Sequence, residues 1–362
     1  MKNRIAFTAI AAIISLQATS AWAQPDFDVR VLANGDYIHT ITLQENRTNT
    51  MDVTIHEFSR EFEVRTNGQT VFVPMGRNAM AGVELFIKGG NRRDRIFVFG
   101  GEISWVDVSG GDGNDDIEHH SDSWFTCSGG DGRDEILVSS RGGEIWGGNG
   151  NDRIWGGDVG NILSGGPGKD QIWGGPGRDD IDGGDGDDEL YGGGGDDTIS
   201  GGPGDDLLRG GGGNDVLEGD YRGLEGYEHL QPAGADIIFG GSGNDVLMGG
   251  RGADEMDGGP DDDALYGSHD GPTGPHSIGY YRPTYSLPDY AVDSMTGGGG
   301  RDQFFHAHYY IVKKISGGFS STVRKYVEFD DVEDFDPSRD TLRELYFPKN
   351  TLAASPKYGP SK

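Results

Sequence analysis

The sequence predicts an all-β chain whose middle coils as a parallel β-roll, with a β-rich segment before it and a cap after it. Three observations carry this prediction: a nine-residue period, one large apolar residue in each period, and glycine and aspartate at fixed positions within it. Eight consecutive nonapeptides run from Gly147 to Glu218: GGNGNDRIW, GGDVGNILS, GGPGKDQIW, GGPGRDDID, GGDGDDELY, GGGGDDTIS, GGPGDDLLR and GGGGNDVLE. Seven of the eight fit G-G-x-G-x-D-x-U-x, where U is large and apolar. The pattern recurs at Gly110, Gly129, Gly240, Gly249 and Gly297, with weaker copies at Gly89 and Gly258 and a copy split between Gly219 and Asp236.

Residues 1–23 read as a secretory signal peptide: Lys2 and Arg4 precede an apolar stretch from Ile5 to Leu16, and Ala21-Trp22-Ala23 supplies small residues before the cut. The apolar stretch is shorter than the roughly 20 residues a membrane-spanning helix needs. The mature chain is expected to begin at Gln24 and to act outside the cytoplasm, in the periplasm or beyond the cell. Residues 24–88 carry strand-like stretches at 37–43, 53–58, 62–64, 71–73 and 83–87, with turns at Asn67-Gly68 and Met75-Gly76. They are expected to cap the roll and merge into its first, irregular coils. The roll itself is expected over 89–305, interrupted by insertions at 220–233 and 267–296, the second rich in tyrosine and proline. A cap and tail follow over 306–362.

Within a repeat, glycines at positions 1, 2 and 4 let the backbone pass through positive φ. The first six residues make a turn. The last three alternate polar, apolar, polar, which suits a very short strand with only U facing inward. Two repeats then form an 18-residue coil with a strand on each side, and coils stack about 4.8 Å apart. The inward residues of the continuous run are Ile154, Leu163, Ile172, Ile181, Leu190, Ile199, Leu208 and Leu217. Burial yields about 1.5–3 kcal/mol for each such side chain, whereas ordering the backbone costs about 1–2 kcal/mol per residue. A core this thin cannot hold the coil together, so a further stabiliser is needed.

Disulfides cannot supply it, because Cys127 is the only cysteine. The charge balance points elsewhere: 60 Asp and Glu stand against 30 Lys and Arg, a net charge of −30, which becomes −32 once Lys2 and Arg4 leave with the signal. Such a chain is a poor partner for nucleic acid or anionic membrane and a good one for cations. Repeats two apart share an edge, so Asp152, Asp170, Asp188 and Asp206 form one column and Asp179, Asp197 and Asp215 the other. Carboxylates about 5 Å apart repel unless a cation sits between them. Ca²⁺ suits that gap, because it takes 6 to 8 oxygen ligands at about 2.3–2.6 Å and accepts carbonyls readily, whereas Mg²⁺ demands a smaller, stricter octahedron.

These repeats resemble the RTX, or haemolysin-type calcium-binding, family over roughly Gly89 to Phe305. The resemblance implies a parallel β-roll with several Ca²⁺ ions held between turns by the position-6 Asp and turn carbonyls. Carried onto this chain, the ligands are Asp115, Asp134, Asp152, Asp170, Asp179, Asp188, Asp197, Asp206, Asp215, Asp236, Asp245, Asp254, Asp263 and Asp302. Three departures mark weaker places: Asn161 stands for Asp, while Arg92 and Asp261 each stand for the third glycine. The segment from Val332 to Leu342 resembles the I-x-D-F-x-x-x-x-D-x-L element that often closes such rolls.

Enzymatic signatures are sparse. His56-Glu57-Phe58-Ser59-Arg60 begins like H-E-x-x-H but lacks the second histidine, and no G-x-S-x-G elbow occurs. His119-His120 and His306 with His308 read as solvated surface residues rather than a transition-metal site. Trp155, Trp173 and Tyr191 at position 9 form an outward aromatic column, read either as a ladder that stabilises the sheet or as a platform for a polysaccharide or cell-surface ligand. The leading functional reading is a secreted, non-enzymatic calcium-binding protein that folds on Ca²⁺ after export. Its rival is a β-helix enzyme that modifies polysaccharides.

Overall fold

The structure, a computed structural model, describes residues 84–100, 105–138, 141–220 and 234–267, together with strand segments before and after them. The leader, the cores of both insertions, Asp302 and the C-terminal tail lie outside the described residues. Among those described there is no helix; the strands form two fourteen-stranded sheets. Successive strands alternate between the sheets, so each coil adds one strand to each.

The run of nonapeptides behaves as its period dictates. Three-residue strands such as Arg153–Trp155 and Ile162–Ser164 pair in parallel with the strand one coil later, and like stacks on like: Ile154 on Ile172, Ile172 on Leu190, Leu163 on Ile181. These inward residues are fully buried. Hydrogen bonding continues between coils through the turns, where Gly150 N–H donates to Pro167 O and Gly168 N–H to Asp185 O.

The first coils are built differently. Their strands are longer and bury two inward residues each: Ile96 and Val98 in Asp94–Gly100, Val106 and Val108 in Trp105–Asp112, Ile136 and Val138 in Glu135–Val138. Three or four inward apolar side chains per coil against two amounts to about 1.5–6 kcal/mol of extra burial per coil. The coil length also varies here. Position-6 aspartates are joined at a spacing of 21 from Asp94 to Asp115 and 19 from Asp115 to Asp134, before settling at 18.

Before these coils, an antiparallel meander of Asn49–His56, Glu61–Thr66 and Gln69–Pro74 joins one sheet, and the antiparallel pair Asp26–Val31 and Tyr37–Thr42 joins the other. The expected turn at Asn67-Gly68 falls between two of these strands, whereas the strand at Asp26–Val31 is an addition to the sequence reading. At the far end Met295 pairs with Val332 and Phe304 with Leu342. The closing element thus adds one more strand to each sheet.

The insertion between Asp220 and Gly234 leaves the stack undisturbed. Asp206 N–H still donates to Asp236 Oδ1, 30 residues on instead of 18, so the twelve extra residues do not shift the register of the stack. At Asp261 the chain keeps the turn shape with φ of 88°, a left-handed conformation in a residue with a side chain.

Candidate metal columns

Each six-residue turn ends by burying its aspartate, and the turn glycines explain how. Most glycines at positions 2 and 4 have positive φ, as in Gly148 (113°) and Gly150 (139°). Position 1 differs from the sequence expectation, because its φ is ordinary and its requirement is space. A Cβ on Gly165 would meet both Oδ2 of Asp170, the aspartate of its own repeat, and the carbonyl of Gly183, the position-1 glycine of the next coil. The carbonyls of positions 2 and 4 also point along the stack: Gly130 O faces Gly148 and Gly132 O faces Gly150.

The two carboxylate oxygens of each aspartate have different surroundings. Oδ1 accepts the backbone N–H of the aspartate one coil earlier, at 2.7 Å for Asp134 to Asp152, Asp152 to Asp170 and Asp170 to Asp188. A second ladder of this kind runs along the other edge from Asp179 to Asp197, Asp215, Asp245 and Asp263. Oδ2 of Asp115, Asp134, Asp152, Asp170, Asp179, Asp188, Asp197, Asp206, Asp215, Asp236 and Asp245 is buried without a hydrogen-bond partner. Asp254 and Asp263 are buried in the same columns. Thirteen of the fourteen aspartates singled out from the sequence are therefore brought into two columns, and Asp302 lies outside the described residues.

Asp94 joins the first column although Arg92 breaks its repeat. It is fully buried, its Oδ2 accepts Gly90 N–H at 2.7 Å, and its N–H donates to Asp115 Oδ1. The signal was present in GGNRRDRIF, where the aspartate keeps its position even though the third glycine is lost.

Carboxylates so placed resist ionisation. Burial, reinforced by carboxylates in neighbouring coils and partly offset by the N–H donors, pushes Asp115, Asp134 and Asp170 up to about 7. Asp206 rises to about 8 and Asp236 to about 9 for the same reasons. A cation beside Oδ2 would reverse this. The donors are oxygen only, which selects a hard cation such as Ca²⁺ over a transition metal. Among the described residues no three His, Cys, Asp or Glu side chains converge. A calcium ion here would therefore draw most of its ligands from turn carbonyls, with the aspartates supplying the charge.

The histidine pair departs from the sequence reading. His119 is buried rather than solvated: its ring stacks on Phe125 at 4.2 Å, Nε2 lies 2.8 Å from Ser121 Oγ, and burial lowers its pKa to about 3. His120 stacks on Phe99 instead and contacts Glu118 at 2.8 Å, so the two imidazoles do not share a ligand position.

The outward aromatics form a stack whose faces cover one another. Trp155 and Trp173 lie 4.9 Å apart and 4° from parallel, Trp173 and Tyr191 5.5 Å and 3°. Both faces of Trp173 are occupied by its neighbours, which favours the stabilising reading. Trp173→Ala is expected to cost about 1–3 kcal/mol, two stacking contacts at about 0.5–1.5 kcal/mol each, measured as a lowered unfolding midpoint in saturating Ca²⁺. An unchanged midpoint would remove the structural role.

Comparison with known proteins agrees with this geometry. The RTX calcium-binding nonapeptide repeat matches in four copies, at residues 128–163, 155–190, 191–220 and 233–267. No curated protein matches the chain. With its parallel two-sheet coil and aspartate-bearing turns, the tract from 128 to 267 is a β-roll of RTX calcium-binding repeats.

Proposed function

We propose that this chain is an exported, non-enzymatic protein whose roll orders when it meets Ca²⁺ outside the cytoplasm and then serves as a rigid structural or adhesive element. The observation that carries the proposal is the pair of columns of buried aspartate Oδ2 atoms lacking hydrogen-bond partners. The position-6 aspartates are the side-chain ligands in this reading, and the N-terminal leader supports export.

Linkage supplies the energetics. A ligand bound by the folded state alone stabilises it by about 2.7 kcal/mol per site at a hundredfold excess over Kd, and many sites in one stack multiply that gain. Titrating Ca²⁺ into the chain from Gln24 to Lys362 is expected to give a steep gain of far-ultraviolet β signal and a fall in hydrodynamic radius, with Mg²⁺ much less effective. A chain equally compact in chelator would sink the proposal.

A further inference from the structure

The second-edge column starts on an amide. Asn161 holds position 6 in the turn before Ile162–Ser164 and is buried. In the aspartate repeats, Oδ2 crowds the position-1 glycine together with the position-1 carbonyl of the next coil, as Asp179 Oδ2 and Gly192 O do at Gly174. That places acceptor beside acceptor. At Asn161 the corresponding atom is Nδ2, a donor. Its two N–H groups lie within reach of three acceptors, donating to Asp179 Oδ1 at 2.7 Å and shared between the matching carbonyl, Gly174 O, at 3.2 Å and Gly157 O at 3.3 Å. Its Oδ1 meanwhile accepts the N–H groups of Gly143 and Gly157, both at 3.2 Å.

We propose that the Asn161 amide is the chain's own replacement for the cation in the first gap of this edge. It marks a boundary on this edge, where Gly143 rather than an aspartate stands one coil earlier: coils on its N-terminal side carry position-6 aspartates along the other edge alone, keep their order in the absence of calcium, and form the fixed end on which the coils with two aspartate columns stack. A second, independent observation supports the same boundary. Inward residues are doubled in Asp94–Gly100, Trp105–Asp112, Trp124–Asp131 and Glu135–Val138, and single from Ile145 onward. Apolar burial is thus greatest in the coils before the amide, where this edge of the roll carries no position-6 aspartate. In a stack where each coil touches only its neighbours, a pre-ordered end removes the nucleation step for the rest.

The inference rests on the reading of the roll as calcium-folded, and the experiment separates the two. Hydrogen exchange of the chain from Gln24 to Lys362 would be followed by mass spectrometry in chelator and in excess Ca²⁺. In chelator, Trp105–Asp112 and Trp124–Asp131 are expected to stay protected by roughly 100-fold or more, while Glu189–Gly194 and Leu207–Gly212 exchange as open chain. Ca²⁺ should protect all four.

Asn161→Asp is expected to bind one more Ca²⁺ per chain by equilibrium dialysis and to make protection of Ile162–Ser164 depend on calcium. Equal loss of protection on both sides of Asn161 in chelator would overturn the boundary while leaving calcium-dependent folding intact. So would an unchanged calcium count in Asn161→Asp. Full protection everywhere in chelator would overturn the calcium reading and the boundary with it.

Discussion

In chelator, the chain is expected to gain β-structure as the pH falls from 9 towards 4.5, the reverse of ordinary acid denaturation. The column carboxyls have folded-state pKa values raised above the unfolded value of 3.8, to about 6 for Asp152 and Asp188, about 7 for Asp170 and Asp197, and about 9 for Asp236. A raised carboxyl contributes its full stability when protonated in both states, below about pH 4. It loses that stability as the pH climbs through the folded value. Because so many groups titrate together, the loss should be large and spread over roughly pH 4 to 9. Each carboxyl contributes at most about 1.4 kcal/mol for every pH unit that separates its folded from its unfolded value, less where solvent screens it.

With Ca²⁺ present the slope should invert, because the metal binds the ionised carboxylates and acid releases it. Circular dichroism against pH, with and without chelator, measures both slopes. A chelated chain whose β signal rises with pH would contradict the buried-carboxylate columns. Asp180→Asn serves as the internal control. Asp180 is exposed and outside the two columns, so neutralising it should leave the chelator profile where it was.

Gly150→Ala is expected to be among the most damaging of the small substitutions. Gly150 has φ of 139°, and a Cβ there would lie on top of Gly132 O, a backbone atom that cannot rotate away. The coils would have to part, breaking hydrogen bonds such as Gly150 N–H to Pro167 O. The cost should exceed about 3 kcal/mol even in saturating Ca²⁺, in the range reserved for backbone conflicts. Gly194→Ala tests whether glycine as such matters. Gly194 occupies position 3 with an ordinary φ, and its Cβ would find its nearest heavy atoms at 3.9 Å. That change should be neutral or stabilise by about 0.4–1 kcal/mol through the unfolded state. Denaturant melts of both variants decide the matter, and equal effects would refute the stacking geometry.

Where the period is intact, the fold and the columns could be read directly from the sequence. One inward apolar residue every nine positions dictated which residues stack, and the same period placed thirteen aspartates in two buried rows. Three features escaped that reading, each for a physical reason. Doubled inward positions such as Val98 and Val108 lie in strands where the nonapeptide is stretched, so they fall outside its frame. His119 looked solvent-facing because histidine usually is, yet its strand buries alternate residues and it takes the inward one. Asn161 read as a weakened repeat because a motif scores identity. In the folded coil it is instead a donor placed where its neighbours carry an acceptor.

Register gives the molecule a rule for changing length. A coil spans 18 residues, and strands alternate between the sheets. Excising 18 residues from the run would therefore shorten the stack and leave every later side chain on its own face. Excising nine would send every later strand to the opposite sheet and exchange the two rows of aspartates. The twelve extra residues between Asp220 and Asp236 show a third option, growth without any shift of register. A gene that duplicates or loses segments of this chain can thus alter its reach in whole coils, and can decorate its corners freely. A half-coil change would splice the Asn161-headed row of carboxylates onto the other.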